Sequence, residues 1–288
     1  MRDFFVKLSK MDRRWVFLGV ALTSVIPFFF PLGLPVKVTR FTELVFDEVD
    51  QVLPADDPDS KPVLLSMDYD PGTLPEVGPM AKALIRHIFA KKGKVIGLSF
   101  MPTGHALAQQ TLLDVAAEFE DQGIEEGVHW AYLPYNIPAA TCIQAIGRDI
   151  REVYPKDVKD RPLDDLPIFR TVKNYDDIHI VIDLAGNQMP DAWIADAVER
   201  YGARFAMGVT NVMAADYTPT IPKQSKGMLT GMRGAAEYER LIVDKGYWKK
   251  LGEAARGMDS QSFTHIFIIL MIILGNLGFF LGRKGGAQ

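Results

Sequence analysis

Residues 63–100 read VLLSMDYDPGTLPEVGPMAKALIRHIFAKKGKVIGLSF, and this stretch decides the fold. An apolar run, Val63 to Met67, ends in the turn-forming cluster Asp68-Tyr69-Asp70-Pro71-Gly72. From Glu76 to Ala90 apolar residues recur every three or four positions, the period of a helix, and Lys91-Lys92-Gly93 closes it. Lys94 to Phe100 is a second apolar run. A strand, a helix and a strand in so short a span form a βαβ unit, whose two strands run parallel.

The same alternation continues downstream. Ala106 to Asp121 reads as an amphipathic helix ended by Gly123, Val128 to Leu133 as a strand, and Pro138 to Val153 as a helix with proline in its first turn. Ile178 to Leu184 and Arg204 to Val209 are further strands, separated by a helix over Asp191 to Tyr201. A closing helix is expected from Ser225 to about Asp244. Five apolar strands alternating with helices predict an α/β fold: a doubly wound, mainly parallel sheet, Rossmann-like or flavodoxin-like, covered on both faces. Tyr154 to Asp177 has no clear periodicity and is unusually long for a connection.

Upstream, Val38 to Leu53 has helical spacing, and PADDPDSKP at 54–62 is a turn-rich linker. Beyond it lies WVFLGVALTSVIPFFFPLGLP, residues 15–35, an uncharged run long enough to cross a bilayer core of about 30 Å. No small-x-small cleavage motif follows, so the run is expected to be an anchor and not a cleaved signal. A second apolar run, IFIILMIILGNLGFFLG at 266–282, is broken only by Asn276 and is followed by Arg283 and Lys284. The expected organisation is a basic cytoplasmic segment at 1–14 and a first span at 15–35. A connecting helix and linker at 36–61, an α/β domain at 62–250 and a linker at 251–263 come next. A second span at 264–282 and a tail at 283–288 complete it. Arg13, Arg14, Arg283 and Lys284 abut the apolar runs. By the positive-inside rule both termini are expected in the cytoplasm, with the central domain extracytoplasmic.

Charge and cysteine content exclude several classes. The chain has 288 residues and a net charge of −4. Removing the seven basic and two acidic residues of the terminal segments from 32 and 36 leaves 25 against 34, about −9 for the middle. Nucleic acid, which needs a clustered basic face, is therefore not an expected partner. The single cysteine, Cys142, excludes an intramolecular disulfide and a cysteine-rich zinc site.

In wound α/β sheets ligands bind beyond the carboxyl ends of the strands. The candidate ligand-binding residues are accordingly Asp68, Asp70, Thr103, His105, Asp183, Asn187 and Asn211, to which Lys226 is added at the start of the expected closing helix. A divalent cation on Asp68, Asp70 and Asp183 is chemically reasonable, but Asp and Asn also favour such turns for backbone reasons, and no metal is assigned. No nucleophile elbow, phosphate loop, H-E-x-x-H or strand-linked G-x-G-x-x-G occurs, so neither catalytic residue nor cofactor is assigned. Gly227, Gly231 and Gly234 are expected to form a stripe on the closing helix, and Gly275, Gly278 and Gly282 another on the second span, each marking close helix packing or assembly.

Membrane lipid is the expected environment, with further copies of the chain or another membrane subunit as partners. The expected role is that of a non-catalytic structural, assembly or transport-accessory subunit of an envelope complex. The alternative is a membrane-anchored enzyme or sensor holding a small anionic or metal-linked ligand over the strand ends.

Overall fold

The computed structural model describes residues 11–30, 33–34 and 36–283. The first ten residues of the basic segment, positions 31, 32 and 35 of the expected first span and the tail from 284 lie outside the described residues. The chain divides into two compact units, one of residues 36–254 and one of residues 1–35 with 255–288.

In chain order the main elements are α1 (Arg13–Phe29), α2 (Arg40–Val49), β1 (Val63–Asp68), α3 (Leu74–Ala90), β2 (Val95–Leu98), α4 (His105–Ala117), β3 (Trp130–Tyr132) and α5 (Ala139–Ile146). They are followed by β4 (Ile180–Ala185) and α6 (Met189–Trp193), which continues through a π turn (Ile194–Val198) into Glu199–Tyr201. Then come β5 (Phe205–Val209), α7 (Ala214–Tyr217), β6 (Met228–Thr230), α8 (Gly231–Asp244) and α9 (Glu253–Arg283).

The larger unit is built on a single six-stranded sheet, every pair parallel, in the order β3-β2-β1-β4-β5-β6. This is the Rossmann order and not the flavodoxin-like one, and its direction reverses between β1 and β4. The strands are buried on both faces, which is why they read as unbroken apolar runs. On one face Leu64, Ile96, Val181, Phe205 and Met207 join a core with Ile143, Phe169 and Trp193.

Three expectations need correction. The closing helix does not begin at Ser225. Met228–Thr230 is a sixth strand paired with β5, and α8 starts only at Gly231, so the three glycines do not share one helix face. Pairing with Met207, Gly208 and Val209 supplies backbone bonds that outweigh a helical pattern written in helix-weakening glycines. The stretch 154–177 is not structureless: it folds into short 3₁₀ turns that bury Tyr154, Leu163, Phe169, Val172 and Tyr175 in the core just described. The expected linker at 251–263 is helical from Glu253 onward, since nothing in EAARGMDSQSF breaks a helix before the apolar run.

Glycines 227 and 234 stand at close approaches inside this unit. A Cβ on Gly227 would come within 2.8 Å of the Phe41 carbonyl and of Val45 on α2, and one on Gly234 within 2.9 Å of the Leu229 backbone. Near α2, buried His87 bonds the Tyr238 hydroxyl at 2.8 Å and Asp50 at 3.3 Å, while Phe46 stacks on its ring. Burial pushes the His87 imidazole down to about 4, so it works as a neutral hydrogen-bonding bridge between helices.

In the smaller unit α1 and α9 run antiparallel. Gly19 approaches Phe267, Ser24 Oγ lies 2.8 Å from Thr264 Oγ1, and Ser260 Oγ donates to the Ser24 carbonyl at 2.6 Å. Buried Asp259 accepts from the Gly33 and Leu34 amides at 2.8 and 3.1 Å. Apolar side chains, among them Trp15, Phe17, Leu22 and Phe29 on α1 and Ile266, Ile269, Ile273 and Phe280 on α9, are exposed. Among the described residues one helix, α9, is long and apolar enough to cross a membrane. The first expected span is helical only over the 17 residues of α1, with Pro27 inside, and spans about 26 Å against a core of about 30 Å. Gly275 faces open space, Gly278 is buried, and Gly282 lies in the last turn of α9.

Candidate functional site

The reversal of strand order between β1 and β4 leaves a crevice at the carboxyl edge of the sheet. Register places Ser66 beside Asp183, and Asp68 beside Ala185. Side chains alternate along a strand, so Ser66, Asp68 and Asp183 share one face. Both carboxyls are fully buried. Asp68 accepts from the Ser66 hydroxyl, from the Phe100 amide at 2.5 Å and from Ser99 Oγ at 3.5 Å. Asp183 receives none of these donors: among the described residues its oxygens have no hydrogen-bond partner by geometry, and the Asp68 carboxyl is the ionisable group that acts on it. Burial raises the Asp68 carboxyl above its ordinary range, against the pull of its donors. Burial, and then the charge of Asp68, push Asp183 well above that range.

The loops after β1 and β4 close over this pair. The Asp68 carbonyl accepts from Asn187 Nδ2 at 3.1 Å and from the Gly186 amide at 3.4 Å. Asp70 is occupied otherwise: its Oδ1 accepts from the Thr73 amide at 2.9 Å and the Thr73 hydroxyl at 3.0 Å, shaping the entry to α3. These bonds hold its carboxyl below the usual range. The three-carboxylate cation site that the sequence allowed is therefore not formed, and among the described residues no three His, Cys, Asp or Glu side chains are placed to hold a metal ion.

Next to the crevice, between the loops after β4 and β5, is a cavity of about 460 Å³. Its polar lining comes from Asn187, Gln188, Asp191, Asp216, Tyr217 and Thr220, and no Lys, Arg or His lines it among the described residues. Burial first, then Asp191, raises the Tyr217 phenol far above its ordinary value, so it stays a protonated donor. The size suits a metabolite-like ligand.

The remaining sequence candidates are scattered. His105, half-buried at the start of α4, has Nδ1 3.4 Å from the Tyr132 hydroxyl, which donates to the His105 carbonyl at 3.0 Å. Desolvation lowers its pKa. Thr103 is exposed in the preceding loop. Asn211 is also exposed, and its amide donates to Glu76 Oε1 at 2.6 Å. Lys226 precedes β6 and so lies at the amino edge of the sheet, opposite the crevice, a consequence of the strand that replaces the first turns of the expected helix. The crevice thus gathers Asp68, Asp183 and Asn187 and leaves Thr103, His105, Asn211 and Lys226 outside. Sequence reasoning missed Gln188, Asp191, Asp216, Tyr217 and Thr220. Their only signal was position, since all lie in the segments that follow β4 and β5, between 3 and 11 residues past the strand end.

Compared with known proteins, the chain matches no family model, no curated protein and no solved structure.

Proposed function

We propose that the chain is a membrane-anchored α/β domain that binds a small polar ligand carrying a positive charge in the cavity beyond β4 and β5. What supports the reading is that cavity: it stands at the carboxyl edge of a doubly wound sheet, beside the switch point, with Asp191 and Asp216 in its lining and, among the described residues, no cationic side chain lining it to balance them. A cationic ligand is attracted by such a lining and an anion is repelled, which reverses the charge first expected for the ligand. The domain serves as a binding or sensing module, because its polar groups line a cavity without a paired nucleophile and base among the described residues.

The full chain in detergent should melt higher with small amines such as putrescine, arginine or ethanolamine than with phosphate or acetate. Asp216→Asn, at an exposed position, should reduce the shift without lowering the melting point of the free protein. Equal shifts with amines and anions, or an Asp216→Asn response identical to the parent, would remove the basis for the reading.

A second reading, an assembly or transport-accessory subunit, is favoured by one specific observation. Apolar residues are exposed around both helices of the smaller unit, and Gly275 faces open space. Native mass spectrometry from mild detergent decides for it if the chain appears as a defined assembly and binds no amine.

A further inference from the structure

We propose that Asp68 and Asp183 form a one-proton site at the switch point, and that loss of this proton opens the crevice between the loops after β1 and β4. The inference stands apart from the ligand reading, since it rests on the two central strands and not on the cavity.

Hydrogen-bond accounting locates the proton. The Ser66, Ser99 and Phe100 donors all point to Asp68, which is therefore the carboxylate of the pair. Asp183, fully buried and reached by no donor among the described residues, has nothing to stabilise a negative charge. It keeps its proton and donates it to Asp68. Two buried carboxylates in contact cannot both ionise cheaply, so the pair titrates as a unit, with one proton retained far above the ordinary carboxylate range.

Among the described residues, no cationic group acts on either carboxyl. Tyr69 follows β1, Tyr132 lies on β3, Tyr154 comes from the segment before β4, and Tyr217 from α7; burial holds all four protonated, and the charge of Asp68 adds to it for the first three. Beyond Tyr217 stand Asp191 and Asp216, both acidic. The His105 imidazole faces the Ser99 backbone and the Tyr132 hydroxyl, and acts on neither carboxyl. Trp193, on the same buried face, carries an indole N–H with no partner among the described residues.

The mechanical link is the backbone of Asp68 itself. Its carbonyl ties down Asn187 and Gly186, and Gly186 sits so close to Thr73 that a Cβ there would meet its side chain at 2.4 Å. When the proton leaves to solvent, a second negative charge appears where β1 and β4 end together. Repulsion then acts across the bonds that close the loops.

The test uses the full chain in lipid nanodiscs. Infrared spectra should show a protonated-carboxyl band at neutral pH that is lost in Asp183→Asn, whose amide can still donate to Asp68. Raising the pH from about 5 to about 9, the range in which buried carboxyls are known to titrate, should bleach the band. Amide exchange at 69–73 and 186–189, read against Asp183→Asn in the same buffer, should then rise about tenfold for each unit above the pKa of the pair. The proposal is overturned if the parent shows no such band, or if the loops of parent and variant exchange alike at every pH. Should Asp183→Asn not fold, the band and loop exchange of the parent must still titrate together, and loops that stay closed while the band bleaches would equally overturn it.

Discussion

Gly231→Leu is expected to destabilise the α/β unit by about 2–5 kcal/mol, as measured by chemical denaturation of the full chain. Gly231 opens α8 directly after β6 with φ +55°, a left-handed conformation that costs an L side chain about 1–2 kcal/mol. A Cβ there would also lie 2.6 Å from Glu76 Oε1 and 3.0 Å from Asn211 Cβ, and overpacking adds about 1–3 kcal/mol. The loss spreads beyond the site of substitution, because Glu76 in turn anchors the Asn211 amide and so joins α3 to the loop after β5. Gly231→Ala keeps the left-handed strain and the same Cβ contacts, and escapes only the overpacking by the rest of a leucine side chain, giving a smaller loss. A Gly231→Leu protein as stable as the parent, deficient only in binding a ligand, would mean that this glycine serves a binding surface.

Glu237→Ala is expected to cost about 1.5–3 kcal/mol and to release α2 from the domain. Glu237 is almost wholly buried on α8, where Oε2 accepts from the Thr39 amide at 2.9 Å, the Thr39 hydroxyl at 2.7 Å and the Thr42 hydroxyl at 2.8 Å. Oε1 takes the Arg233 guanidinium at 2.8 Å. One carboxylate therefore caps the start of α2, whose Thr39 N-cap side chain reaches the Thr42 hydroxyl at 3.2 Å but caps no backbone amide of its own helix. Truncation removes the charged acceptor of the buried Thr42 hydroxyl, leaving it only the Thr39 hydroxyl at 3.2 Å, and frees a helix that otherwise covers Gly227. Glu237→Gln retains an accepting oxygen and should lose much less. Hydrogen exchange over residues 39–49 reads the outcome: strong deprotection for alanine, near-parent protection for glutamine. Equal protection in both variants would show that α2 is held by its apolar face alone.

These two contacts also mark the limit of what was legible in the sequence. The strands β1 to β5 could be read because each is an apolar run bounded by turn residues, and burial on both faces of a parallel sheet demands that pattern. Met228-Leu229-Thr230 escaped because three residues are too few to show a period, and glycines on either side extended the helical spacing across them. The misplacement of Lys226 followed from that error. Asp68 and Asp183 were each legible as residues at strand ends, but their contact depends on β1 pairing with β4, and strand order leaves no trace in local periodicity. The cavity was less legible still, since its walls come from loops about 25 residues apart whose approach is set by β4 and β5. The same holds for Ser60, which sits in a turn-rich linker yet is buried, with its hydroxyl on the Leu53 carbonyl.

The proposed membrane anchoring, with both α1 and α9 crossing and the α/β domain on the side opposite the termini, is tested most directly by cysteine labelling of intact cells with an impermeant reagent. The natural Cys142 is buried and gives little background. Exposed Asp59 is the position to substitute in the domain, and buried Ser60 is unsuitable; Asp12 before α1 and Gln288 after α9 report on the two ends. Asp59→Cys should be modified, while Asp12→Cys and Gln288→Cys should be spared until the cells are opened. Modification of Asp59→Cys and Asp12→Cys alike, with only Gln288→Cys spared, would contradict a crossing by the short helix α1. Equal modification at all three positions would contradict membrane insertion altogether.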